Sequence, residues 1–391
     1  MMPFEFYRCP RVVFGPGSIS ELGTTASRFG SRALVVTGTS SLDRSGNWDK
    51  IARSLAESSI MFSRFTVNGE PSPEIVDGAV LEFKDRAIDG VIAIGGGSVM
   101  DCAKAIAAML PLGEPVTPYV EGVGCKNHPG GCLPLIAVPT TAGTGSEATK
   151  NAVLSRVGKE GFKKSLRHDS FTPVCALLDP ELTLACPSPV TAACGMDAFT
   201  QLLESYVSLQ GSPITDALSL SGIEHLSPAL LPAATERGDN IGFRSSLLYA
   251  AFLSGVTLAN AGLGIIHGLA GPIGALVSMP HGMVCATLLC ESCRVNILRV
   301  REQGGKEDAM QAKYARAGRI LSGNPSADDD QACDLLLEKL EEWTEKLRIP
   351  RLGDYGVRES DLDLLVAQAG QKANPVLLEA GDVKAILKAR L

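Results

Sequence analysis

The stretch GVIAIGGGSVMDCAKAI, residues 90–106, decides the fold class of this chain. A run of apolar residues leads into three consecutive glycines, and an alanine-rich segment follows. This order predicts a buried strand, a tight turn and a helix. Such a unit is the repeating element of α/β domains, in which helices cover the faces of a largely parallel sheet.

The same alternation extends over the first half of the chain. Short apolar runs predict further strands at residues 11–15, 33–38, 61–65, 133–139 and 176–179. After Pro187-Ser188-Pro189 the apolar spacing becomes helical, and no further strand is predicted. We therefore expect an α/β domain over residues 1–187 and an all-helical domain over residues 188–391.

Composition and charge exclude several classes of function. The 391 residues are 45% hydrophobic and 20% charged, and their net charge of −7 argues against nucleic acid or an anionic membrane as a partner. Residues 245–280 lack Asp, Glu, Lys and Arg, but glycines and polar residues interrupt them, which favours buried helices over a membrane span. The 11 scattered cysteines and the lack of a signal peptide predict a cytoplasmic protein.

Two glycine-rich and hydroxyl-rich loops are candidates for binding a nucleotide. Gly95-Gly96-Gly97-Ser98 follows one predicted strand, and the loop 139–147, PTTAGTGSE, follows another. The first offers the free amides of a helix N-terminus, which suit a pyrophosphate, although a tight turn without a ligand remains equally open. Because both loops follow parallel strands, they point to a nucleotide across the carboxyl edge of the sheet.

Four polar side chains in the helical half are candidate metal ligands. Asp197 and Gln201 are four residues apart and therefore share one face of a helix, while His267 and His281 flank a glycine-rich apolar segment. From these residues alone, a metal site and a set of buried, hydrogen-bonded side chains both remain open.

With these motifs in order, the chain resembles the iron-containing (group III) alcohol dehydrogenases over nearly its whole length. The resemblance rests on residues 14–17 (FGPG), 95–98, 139–147, 179–183 (DPELT), 195–198 (GMDA), His267 and 280–282 (PHG). It implies a dehydroquinate synthase-like fold, with an N-terminal Rossmann-like domain, a C-terminal helical domain and the active site between them. It also implies a nicotinamide cofactor and one divalent metal, Fe²⁺ or Zn²⁺.

The resemblance assigns residues to both sites. It implies Asp197, His267 and His281 as catalytic residues, and these three with Gln201 as the metal site. The residues expected to bind NAD or NADP are Gly38, Thr39, Ser40, Gly95, Gly96, Gly97, Ser98, Asp101, Thr140, Thr141, Thr144, Lys163 and Leu182.

Three positions depart from the pattern of the family. Gln201 stands where a histidine ligand is usual, and Gly271 stands where a second histidine near the nicotinamide is usual. Gly38, followed by hydroxyl residues, stands where the family often has an aspartate that would bond a ribose hydroxyl and repel a 2′-phosphate. The third departure favours NADP over NAD.

We therefore expect a cytoplasmic, homodimeric oxidoreductase that transfers hydride between a nicotinamide and a small alcohol or aldehyde. One alternative is a metal-independent reductase of the same superfamily, resembling maleylacetate reductase. Another is a lyase of the dehydroquinate synthase type, although residues 245–293 contain no Lys or Arg for such a cleft. A non-catalytic NADP-binding protein is the third, and the intact nucleotide loops argue against it.

Overall fold

The computed structural model describes residues 3–156, 161–303 and 308–391. Within this part of the chain, six strands form one sheet in the order β1-β8-β5-β4-β2-β3, and every neighbouring pair is parallel. Its strands are β1 (Arg11–Phe14), β2 (Arg32–Gly38), β3 (Met61–Val67), β4 (Gly90–Gly95), β5 (Leu135–Pro139) and β8 (Cys175–Leu178). The predicted parallel sheet is confirmed.

The sheet is buried because helices cover both of its faces. One face packs against α4 and α5, and the other packs against α1 and α3. This explains the near-continuous apolar runs of β2, β4 and β5, which are buried on both sides. The helices of this half are α1 (Leu22–Ala26), α2 (Ser41–Arg44), α3 (Asn47–Glu57), α4 (Pro73–Phe83) and α5 (Gly97–Met109).

An antiparallel hairpin in residues 151–167 was not predicted from the sequence. Its strands are β6 (Asn151–Arg156) and β7 (Phe162–Arg167). Only one face of the hairpin is apolar, since Ala152, Leu154 and Leu166 pack into the same cluster as α5. The charged residues of β7 hide the signal that a fully buried strand would give.

The second half of the described chain is helical, as predicted, and contains no strand after β8 among the described residues. Its largest apolar cluster joins helices α6 to α15 into one core. The helices are α6 (Ser188–Tyr206), α7 (Pro213–Leu226), α8 (Leu230–Ala234), α9 (Ile241–Ala261), α10 (Ile265–Leu276), α11 (His281–Gln303), α12 (Asp308–Ser322), α13 (Asp329–Lys346), α14 (Leu362–Gln368) and α15 (Ala380–Ala389).

Helix α9 is long and apolar enough to cross a membrane by length and composition alone. However, 61% of its most apolar window is buried inside the protein. It packs against α6 and α7 and against the turn that begins at Ser146. These properties are typical of a core helix in a soluble protein.

Candidate active site

The two predicted nucleotide loops lie side by side at the carboxyl edge of the sheet. The amide N–H of Thr140 donates to the carbonyl of Gly95 (2.9 Å), which joins the end of β5 to the end of β4. A Cβ atom at Gly97 would lie 2.7 Å from Cγ2 of Thr144, closer than such atoms can approach. Glycine at position 97 is therefore required for the two loops to touch.

Helix α5 begins inside the first loop and presents its N-terminus to the cleft. Its N-cap residue is Gly96, which supplies no side-chain oxygen to the first amides of the helix. Those amides and the positive end of the helix dipole are suited to an anionic group such as a pyrophosphate. Gly97, Ser98 and Thr144 line the cleft directly.

A buried charged group fixes the second loop and the hairpin to α5. Lys104 is fully buried, and its Nζ donates to Ser146 Oγ (2.9 Å), Thr149 Oγ1 (2.8 Å) and the Asn151 carbonyl (2.9 Å). Asp101 accepts from Ser146 Oγ at 2.6 Å. These three contacts use the Lys104 ammonium to hold the loop and the hairpin in place.

Asp197, His267 and His281 meet at the opposite wall of the cleft. Nε2 of His267 lies 3.4 Å from Oδ1 of Asp197, and Nε2 of His281 lies 3.7 Å from the same oxygen. The three come from α6, α10 and α11, so packing of the helices alone brings them together. They converge with a fourth side chain, Cys285, and the four potential ligand atoms all lie within 4.8 Å of one another.

This cluster fits a divalent cation. Oδ1 of Asp197 is buried and has no hydrogen-bond partner within the described chain, which is costly for an acidic oxygen unless a cation binds it. Burial lowers the pKa of His281 to about 4, so its imidazole is neutral and can donate a lone pair. Burial also raises the pKa of the Cys285 thiol to about 12.

Glu204 orients the His267 ring by a hydrogen bond to its Nδ1, the ring nitrogen that does not face Asp197. Its Oε2 lies 2.6 Å from His267 Nδ1, and its Oε1 accepts the amide N–H of Ile266 at 2.8 Å. A carboxylate at Nδ1 places the hydrogen on that nitrogen and leaves Nε2 free to bind a metal. Glu204 follows Asp197 by seven residues on α6, and this two-turn spacing is the sequence signal that could have revealed it.

Gln201 lies on α6 one turn after Asp197, as predicted, and its side chain lines the cleft. Its Oε1 is 2.7 Å from Ser254 Oγ on α9, which holds the amide against that helix. Cys285 was missed, although it follows His281 by four residues and therefore shares its face of α11.

Of the remaining predicted cofactor residues, some line the cleft and others do not. Lys163 lines it and forms an ion pair with Glu70 at 2.6 Å. Gly38 ends β2, and Thr39 and Ser40 follow it before α2. Leu182 is buried in the apolar cluster that α1 and α3 form with the sheet.

The cleft between these walls has a volume of about 370 Å³. Gly271 lines it, and a Cβ atom added there would meet nothing within 4 Å in the described structure. The position at which the family usually carries a histidine is therefore open space.

Comparison with known sequences gives matches in both halves. The family described as "Iron-containing alcohol dehydrogenase" matches residues 9–180, and "Fe-containing alcohol dehydrogenase family, C-terminal" matches residues 191–391. The chain belongs to the iron-containing alcohol dehydrogenase family. This confirms the resemblance, the fold class and the activity class, an alcohol dehydrogenase that uses a nicotinamide cofactor.

Individual members of the family are similar over nearly the whole chain. The NAD-dependent methanol dehydrogenase of Bacillus methanolicus is 29% identical over 98% of this chain and 99% of its own length. The probable alcohol dehydrogenase EutG of Escherichia coli K12 is 35% identical over 89% of this chain and 83% of its own. The crystal structure of a 1,3-propanediol oxidoreductase covers both chains fully, with a TM-score of 0.88 and 29% identity.

Proposed function

We propose that this alcohol dehydrogenase exchanges hydride between NAD(P) and a small alcohol or aldehyde bound in the cleft between Thr144 and His281. The observation that carries the proposal is that one cleft contains both the N-terminus of α5 and the imidazoles of His267 and His281. A reduced nicotinamide and a carbonyl group can therefore meet there. We place the boundary between the two domains at residues 187 and 188.

Each wall of the cleft has a distinct role in this proposal. The amides at Gly97 and Ser98 hold the pyrophosphate, and Thr140, Thr141 and Thr144 border the nicotinamide. Asp197 contributes negative charge, and His267 and His281 contribute neutral nitrogen ligands. A divalent metal held by these side chains would supply Lewis-acid polarisation of the substrate oxygen. Since position 271 carries no imidazole, we propose that the proton moves through the cofactor ribose or water.

The proposal is tested by measuring NADH- and NADPH-dependent reduction of a panel of aldehydes, with metal content determined on the same samples. We expect activity to require bound Fe²⁺ or Zn²⁺ and to disappear in chelator. Full activity in chelator would instead support a metal-independent reductase. Nucleotide binding without turnover of any aldehyde would support a non-catalytic protein.

We also propose that the enzyme favours NADP. Gly38 ends β2 without a carboxylate, and nearby Asp43 is engaged at both oxygens by Arg64, at 2.9 and 2.7 Å. A Cβ atom at Gly38 would have only ordinary contacts, the nearest 3.8 Å away, so Gly38→Asp is sterically allowed. We expect this variant to shift the ratio of kcat/KM for NADPH to NADH toward NADH by about tenfold or more. An unchanged ratio would contradict the preference.

We further propose a cytoplasmic homodimer. Strand β1 is an edge of the sheet, and its Val12 and Phe14 are 40% and 44% exposed beside an apolar groove that also contains Tyr249 and Phe252. An unprotected apolar edge strand is a surface on which a second copy can pair. Light scattering on the purified protein gives the oligomeric state, and a Val12→Lys variant is expected to weaken the dimer. A wild-type protein that is monomeric at assay concentrations would contradict this.

A further inference from the structure

We propose that the thiolate of Cys285, rather than the side chain of Gln201, is the fourth metal ligand, so that the site is Asp-His-His-Cys. This inference rests on the proposed metal-dependent function. It concerns the one ligand position at which this chain lacks the histidine usual in its family.

Four of the six distances among the four donors are close to those around a tetrahedral ion. Cys285 Sγ lies 3.6 Å from Nε2 of His267 and 3.8 Å from Nε2 of His281, and Asp197 Oδ1 lies 3.4 and 3.7 Å from the same nitrogens. A tetrahedral zinc site with bonds of about 2.0–2.3 Å separates its ligand atoms by about 3.3–3.6 Å. An octahedral arrangement with similar bonds would bring neighbouring ligands to about 3 Å.

The position of Cys285 within the fold also supports a ligand. It follows His281 by one turn of α11, so both side chains face Asp197 on α6. Cys285 is fully buried, which protects its thiol from oxidants in solution. The unpartnered oxygen of Asp197 is an independent sign that a cation belongs at this point.

Gln201 is the weaker candidate on chemical grounds. Its amide oxygen is neutral, and the side chain already contacts Ser254 Oγ at 2.7 Å. Binding of a divalent cation would release the thiol proton of Cys285 to solvent, and the resulting thiolate and Asp197 would together balance the charge of the ion. Thiolate sulfur is also a soft ligand that favours Zn²⁺. We therefore infer that this enzyme prefers Zn²⁺ to Fe²⁺ when both are offered.

The experiment uses Co²⁺ as a spectroscopic probe on the full-length protein stripped of metal. Coordination by sulfur produces an intense thiolate-to-cobalt charge-transfer band in the near ultraviolet, whereas nitrogen and oxygen ligands alone do not. We expect the band in the wild type and in Gln201→Ala, and its loss in Cys285→Ser. Cys293→Ser, which removes another buried thiol two turns later on α11, is the matched control and should keep the band.

Affinity provides a second readout. We expect Cys285→Ser to weaken Zn²⁺ binding by at least the roughly 10–100-fold typical of losing a supporting partner, while Gln201→Ala changes it less. Circular dichroism establishes that each variant is folded.

Cobalt binding without a charge-transfer band, or a band that survives in folded Cys285→Ser, would overturn the Cys285 assignment but leave the metal site in place. A wild type that binds neither Co²⁺ nor Zn²⁺ would overturn the proposed metal-dependent function as well.

Discussion

Replacing Glu204 with glutamine is expected to weaken metal binding by the enzyme without unfolding it. The glutamine oxygen can still accept the amide N–H of Ile266, which Glu204 Oε1 accepts at 2.8 Å at the start of α10. The other end of the side chain then presents an NH₂ group to His267 Nδ1, where a carboxylate oxygen now lies at 2.6 Å. Two donors cannot share this contact, so the imidazole must change tautomer or lose the bond.

The change of tautomer is what connects this variant to metal binding. If His267 accepts at Nδ1, its hydrogen moves to Nε2, the nitrogen that points at Asp197 from 3.4 Å. A protonated Nε2 has no lone pair for a cation.

A hydrogen bond to a charged group contributes about 1.5–3 kcal/mol. Loss of such a supporting partner typically costs roughly 10–100-fold in metal affinity, or about 1.4–2.7 kcal/mol, and the two estimates agree.

The assay is competition for Zn²⁺ between the protein and a chelator of known affinity, with metal content measured after dialysis. We expect the dissociation constant of Glu204→Gln to rise by about 10–100-fold. Glu338→Gln makes the same chemical change on the exposed face of α13 and should leave the constant unchanged. A folded Glu204→Gln protein that binds Zn²⁺ as tightly as the wild type would refute the role of Glu204 in setting the tautomer.

Three further predictions concern stability and the shape of the cleft. In Gly255→Ala, the new Cβ would lie 2.0 Å from the Gly145 carbonyl oxygen, so we expect about 1–3 kcal/mol of destabilisation in urea unfolding. Gly271 is an open helical position, so Gly271→Ala should instead raise the free energy of unfolding by about 0.5–1 kcal/mol. Burial raises the pKa of the Glu147 carboxyl from 4.5 to about 7. The folded state therefore holds one more proton than the unfolded state between pH 4.5 and about 7, and the free energy of unfolding should fall as the pH rises across this range. This decrease should be at most about 3 kcal/mol, and it should be absent in Glu147→Gln. Equal slopes of unfolding free energy against pH in the wild type and the variant would contradict this prediction. Gly271→His should fill open space in the cleft and raise KM for the bulkiest aldehydes more than for acetaldehyde, and a uniform change across the panel would show that this position does not limit substrate size.

Much of the fold could be predicted because its signals are local. Strands β2, β4 and β5 are buried on both faces, so their sequences are continuous apolar runs, and the glycines at 95–97 mark the turn that follows. The hairpin β6-β7 could not be predicted in the same way, because only one of its faces is buried and β7 carries charged residues at exposed positions.

The candidate site was predicted in part. Asp197, His267 and His281 were selected because they match family motifs, and the structure brings them together. Glu204 and Cys285 match no such motif, and their importance depends on which face of α6 and α11 is turned toward α10. Spacing along each helix places Glu204 with Asp197 and Cys285 with His281, but it does not show that the two faces meet.

The sequence by itself determined the parallel sheet, the two glycine-rich and hydroxyl-rich loops and the family, because backbone preferences and burial patterns act over short stretches of chain. Only the tertiary structure decided which side chains come together at the candidate metal site. Its candidate donors come from residues 197, 267, 281 and 285 on three helices, and four of the six separations between them, 3.4–3.8 Å, arise from how those helices pack. Packing of side chains between distant segments is a property of the whole core, and no short stretch of sequence encodes it.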